Sequence, residues 1–125
     1  MKFEINFEHM PEYVLIQTEG EASAIGFDEL LTTLVNSPKW VTGTDQIVDH
    51  RKLLMENLTS DKMKIIRGIV IMHSKQLGGG RCAFVIKGKF EFGMARMYEL
   101  VGGDKIHIKV GVFRSINEAV EWLKQ

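Results

Sequence analysis

Gly78-Gly79-Gly80-Arg81-Cys82-Ala83-Phe84-Val85-Ile86-Lys87-Gly88 is the stretch on which the reading of the fold turns. Cys82 to Ile86 is the longest uninterrupted apolar run in the chain, and turn residues bound it on both sides. A short apolar run so bounded reads as a strand buried on both faces, as in parallel sheets. The glycines before it do not form a phosphate cradle. Such loops follow a strand and precede a helix, whereas Gly78 to Gly80 follow a helical pattern and read as a helix stop and turn.

Upstream of the glycines, Thr59 or Ser60 is placed to cap a helix, with Asp61 in its first turn. That helix is expected to run to about Leu77. On its wheel Met63, Ile65, Ile66, Ile69, Val70, Met72, His73 and Leu77 fill an arc of about 180°, and Ile71 adds more on the other side. Lys64, Arg67 and Lys75 keep a narrow polar strip. Covering one sheet face takes only about 100° of apolar surface. The surplus predicts cover from neighbouring helices, a second subunit or a ligand.

Farther upstream, Phe3, Ile5 and Phe7 alternate with Glu4, Asn6 and Glu8, the period of a half-buried edge strand. Pro11 marks a turn, and Tyr13 to Thr18 reads as the second half of an antiparallel hairpin. Ser23 is a plausible N-cap for a helix carrying Phe27, Leu30, Leu31, Leu34 and Val35, which Pro38 stops. Gln46 to Asp49 reads as a short third strand, and His50 to Leu58 is the least regular stretch. Downstream, Gly88 and Lys89 open a helix with Met94, Met97, Tyr98 and Val101, and His107 to Phe113 reads as the last strand. Ser115 and Glu118 form a capping box for a final helix from Ile116 to about Lys124. The order β-β-α-β-α-β-α-β-α predicts one α/β domain over residues 1–125, with a mixed, mostly parallel sheet flanked by helices.

Composition narrows the function classes. Lys and Arg balance Asp and Glu at 16 each, without the basic excess of a nucleic-acid binder. The single cysteine, Cys82, excludes an internal disulfide and suits a reducing compartment. The alternating N-terminus has no signal-peptide core, and no apolar run approaches the ~20 residues of a membrane span. The expected location is the cytoplasm.

Tyr13-Val14-Leu15-Ile16-Gln17-Thr18-Glu19-Gly20 followed by Gly26-Phe27-Asp28-Glu29-Leu30-Leu31 resembles the opening of the SpoIIAA-like family, as does Val48-Asp49-His50-Arg51. Phe92-Gly93-Met94-Ala95-Arg96-Met97-Tyr98-Glu99, then Val112-Phe113-Arg114 and Glu118-Ala119-Val120-Glu121-Trp122-Leu123, extend the resemblance over nearly the whole chain. That family is similar in fold to STAS domains, the anti-sigma-factor antagonists, and has been compared with Sec14-type lipid-transfer domains. The resemblance implies a binding or regulatory role and no enzyme. The chain departs from phosphorylated STAS proteins in lacking any Asp-Ser-Ser-Gly turn after the third strand. Ser60 reads as a plain cap rather than a phosphosite.

Ligands in open α/β sheets bind beyond the carboxyl ends of the strands. Asp49, Arg51, Lys87, Lys89, Phe90 and Phe92 are the candidate contacts there, for an apolar or lipid-like molecule or a small anion. The competing reading is a solvated basic rim pairing with Asp49. No catalytic or metal-binding constellation and no cofactor motif emerges. Asp49 and His50 diverge if their strand persists, no Gly-x-Ser-x-Gly elbow occurs, and His73 and Ser74 lie about 100° apart on a helix. His73 reads as a packed residue and Cys82 as a buried inert thiol. The leading expectation is a non-enzymatic module that docks a protein partner, or a second copy of itself, through Ile65, Ile69, Met72, Met94 and Met97. The alternative is a small-ligand carrier.

Overall fold

The apolar run at Cys82 becomes a strand with partners on both edges, as its double burial requires. The computed structural model describes residues 1–89, 92, 93, 95 and 109–125. Their order is β1 (Lys2–Asn6), β2 (Val14–Glu21), α1 (Ala24–Asn36), β3 (Gln46–Leu54), α2 (Ser60–Met72), α3 (Ser74–Leu77), β4 (Cys82–Val85), β5 (Val110–Phe113) and α4 (Ile116–Leu123). The strands form one sheet in the order β1-β2-β3-β4-β5. The β1–β2 pair is antiparallel and the other three are parallel, which is the mixed, mostly parallel α/β sheet that the sequence predicts.

Strand alternation divides the core. Val48 packs with Val14, Ile16, Leu30 and Leu34 on the α1 side of the sheet. Its neighbour Ile47 packs with Ala83, Val85 and Ala119 on the α4 side, because successive side chains leave a strand on opposite faces. Helix α2 lies against α1. Side-chain caps start all three longer helices. Ser23 Oγ accepts from the Gly26 N–H at 3.0 Å, Thr59 Oγ1 from Lys62 at 3.2 Å and Ser115 Oγ from Glu118 at 3.2 Å.

Two boundaries differ from the sequence reading. The third strand does not stop at Asp49. It continues to Leu54, past the end of β4, pairing Lys52, Leu53 and Leu54 with Glu19, Gly20 and Glu21 of a lengthened β2. The extension is a tertiary effect: Arg51-Lys52 has no apolar alternation of its own, and each strand supplies the other's backbone partners. The long helix also divides at His73, whose backbone (φ −96°, ψ 2°) leaves the helical region. Its N–H reaches the carbonyls of both Ile69 and Val70 at 3.2 Å, and its Nε2 lies 3.2 Å from the Asp28 carboxylate on α1. Phe90, Met94, Met97, Tyr98, Val101 and His107 fall outside the described residues.

Polar clamps close the opposite end of the sheet. The Arg81 guanidinium donates to the carbonyls of Trp122, Leu123 and Gln125 and meets Asp45 at 3.3 Å, tying the C-terminus of α4 to the start of β4. Beside it Gly78 ends α3 with φ +78° and ψ −161°, a region open essentially to glycine alone. A Cβ there would stand 2.6 Å from the Gly43 backbone nitrogen. Gly78→Ala is therefore expected to destabilise the protein by about 3 kcal/mol, read as a lowered denaturation midpoint with an unchanged slope.

Candidate functional site: an apolar chamber beneath the first two long helices

Gln46, Val48 and His50 occupy alternate positions of β3, so all three face the side of the sheet that α1 covers. A cavity of about 100 Å³ lies between that face and the helices. The sheet contributes Ile16, Val48 and Phe84 to its wall; α1 contributes Phe27, Leu30 and Leu31; α2 contributes Ile66 and Val70. Leu77, Cys82 and Val110 close the Gln46 end, and Met55, Leu58 and Ile86 stand toward His50. The four residue steps from Gln46 to His50 make the chamber long, roughly 13 Å at about 3.3 Å per residue.

His50 is the distinctive group. It is only 5% exposed. Its Nδ1 lies 2.6 Å from the Oγ1 of Thr18, itself buried on β2. Its ring stacks on Phe84 at a centroid distance of 5.4 Å and meets the edge of Phe27 at 5.7 Å. Burial pushes the imidazole down to about 4, against the smaller upward pull of Asp49. At neutral pH the ring is uncharged, with one nitrogen a donor and the other an acceptor. None of the described residues hydrogen-bonds Nε2. Cys82 at the other end is inert, its thiol pushed up to about 12 by burial and then by the nearby Asp45 carboxylate.

The residues proposed from sequence scatter around this chamber. Asp49 and Arg51 leave β3 on the opposite face from His50 and lock onto each other, with Nε to Oδ1 at 2.9 Å and Nη2 to Oδ2 at 2.8 Å. Burial raises the Asp49 carboxyl, but its bonds to Arg51 outweigh that and hold it below the usual carboxylate range. Lys87 and Lys89 are exposed beyond the end of β4. Phe92 packs in a second apolar cluster near Ala95, with the Arg114 guanidinium 4.6 Å from its ring centre. Phe90 lies outside the described residues. On α2, Ile65 and Met72 are 56% and 76% exposed, while Ile69 is half-buried against the core. Among the described residues no three His, Cys, Asp or Glu side chains converge as a metal site, and no helix is long and apolar enough to cross a membrane.

Sequence reasoning placed His50 at the carboxyl ends of the strands beside Asp49 and Arg51, rejected it as a triad member and passed over Thr18. The available signal was positional. His50 follows Val48 at period two, so persistence of the strand places it on the apolar face.

The histidine makes stability depend on pH. Its folded value lies below the ordinary 6.5, so the unfolded chain takes up the proton first as pH falls. The stabilisation is complete above about pH 6.5 and is lost toward pH 4, amounting to about 3 kcal/mol. Depression of the Asp49 carboxyl has the same sign and acts at lower pH. Denaturant midpoints measured from pH 7 to pH 4 are expected to fall in the wild type and to flatten over that window in His50→Phe.

No protein-family model matches the chain, and no curated protein does. Among solved structures the chain is similar to the crystal structure of an uncharacterized protein of the DUF3478 family with a SpoIIAA-like fold, from Shewanella loihica PV-4. The two share 14% sequence identity and superpose with a TM-score of 0.63 over 97% of this chain and 93% of that one. At that identity the likeness speaks for architecture, and the architecture of this chain is a SpoIIAA-like α/β fold.

Proposed function

We propose that this protein is a non-enzymatic binding protein for a small, largely apolar molecule, held in the chamber between the sheet and helices α1 and α2. The observation that carries the reading is the chamber itself, a cavity of about 100 Å³ whose described wall is apolar apart from Gln46 and His50. An apolar cavity of this order stays dry and takes up apolar guests, and close-packed interiors rarely keep one this large. The reading moves the ligand from the carboxyl-end rim to the space beneath the helices. The rim pair Asp49–Arg51 satisfies itself, and among the described residues an anion at the rim would meet the exposed Lys87 and Lys89 and, past β5, Arg114. Short-chain alkanes and alcohols are expected to raise the melting temperature. Val70→Phe, which fills the chamber from α2, is expected to abolish that rise while leaving the circular dichroism spectrum unchanged. Equal ligand shifts in both proteins would refute the chamber as the site.

A second reading, docking of a protein partner, is favoured by one observation. Ile65, Ile69 and Met72 fall on one face of α2 at spacings of four and three residues, and the outer two are exposed. A second copy of the chain is the simplest partner for such a stripe. On this reading the wild type elutes with a dimer's scattering mass, and Ile65→Lys with Met72→Lys elutes as a monomer. A wild-type monomer at high concentration would remove self-association.

A further inference from the structure

We infer that the chamber's ligand is an uncharged chain alcohol whose hydroxyl sits on Nε2 of His50, a conclusion that rests on the chamber reading above and specifies its ligand class. Three observations converge. Apart from Gln46 and His50 at its two ends, the described wall is apolar, so the body of the ligand is hydrocarbon. The chamber follows β3 from Gln46 to His50, so a linear molecule fits it better than a compact one. Near one end stands a buried imidazole whose Nδ1 is taken by Thr18 and whose Nε2 has no partner among the described residues. His50 is itself one of the residues that line the chamber. A buried polar atom without a partner lowers stability until something bonds it, and a ligand oxygen is the group that fits an otherwise apolar chamber.

The hydrogen-bond pattern narrows the oxygen's type. The Thr18 hydroxyl has one proton and two neighbours, the His50 Nδ1 at 2.6 Å and the Asp49 carbonyl at 3.3 Å. If the proton goes to Nδ1, Nε2 carries the ring hydrogen and donates. If it goes to the carbonyl, Nδ1 carries the hydrogen and Nε2 accepts. A hydroxyl answers both states, because it donates and accepts, whereas a ketone, ester or ether answers only the first. A carboxylate would bring an unpaired charge beside an imidazole that burial keeps neutral, and such a charge is strongly disfavoured in an apolar interior.

The test compares 1-butanol with pentane, its equal in heavy atoms, on the wild type and on His50→Phe, by displacement of a fluorescent apolar probe. Both compounds are expected to bind both proteins. The ratio of their dissociation constants is expected to shift about tenfold against the alcohol in the variant, the size of one hydrogen bond. An unchanged ratio overturns the histidine anchor and leaves the chamber intact. Failure of both compounds to displace the probe from the wild type overturns the chamber reading itself, and the anchor with it. Nitrogen NMR of the wild-type imidazoles needs no variant. Butanol is expected to move the Nε2 resonance of His50 far more than Nδ1, and pentane to leave both in place. Equal responses to the two compounds overturn the anchor.

Discussion

Strand β3 is hydrogen-bonded along both edges, to β2 and to β4, and nearly everything else in the molecule follows from that constraint. A strand held on both sides cannot twist a side chain from one face to the other. Over Gln46 to Asp49, where both edges are paired, Ile47 and Asp49 must leave toward the α4 side and Gln46 and Val48 toward α1 and α2; His50 follows at the next alternate position, beside the register shift in β2. The consequence is a division of labour. Packing and the Asp49–Arg51 pair occupy one face, and the chamber with its single buried imidazole occupies the other.

Keeping a histidine in an apolar layer is unfavourable unless its polar atoms are answered. Thr18 answers one nitrogen, and the Phe84 and Phe27 rings contact the imidazole by stacking and edge-on. Those contacts also fix which way the ring faces. The alternative of a fully aliphatic residue at position 50 would pack the same space without the desolvation penalty, so the energetic logic of His50 lies in what it presents to the chamber.

The chamber depends in turn on how α2 is seated. Only Ile66 of that helix is fully buried, although its apolar arc is wide enough to cover far more. Ile69 and Val70 rest against the core and Ile65 and Met72 face outward. Among the described residues the helix is anchored by its packing on α1, its Thr59 cap and the His73–Asp28 contact.

Local pattern alone determined the α/β class, the edge hairpin, the serine and threonine caps and the doubly buried Cys82–Val85 strand, because period-two alternation, capping chemistry and uninterrupted apolar runs are properties of neighbouring residues. Tertiary pairing decided the rest. Arg51 and Lys52 carry no strand signal, yet β3 runs on through them because β2, past a register shift between Gln17 and Glu19, pairs with Lys52, Leu53 and Leu54, and the same extension carries His50 to the apolar face. The cavity is a property of volume between elements distant in sequence, where Phe27, Val48, Ile66 and Phe84 fail to fill the space they enclose. No run of adjacent residues encodes an unfilled volume, so the chain could announce its sheet while its candidate binding site appeared only once the helices were laid upon it.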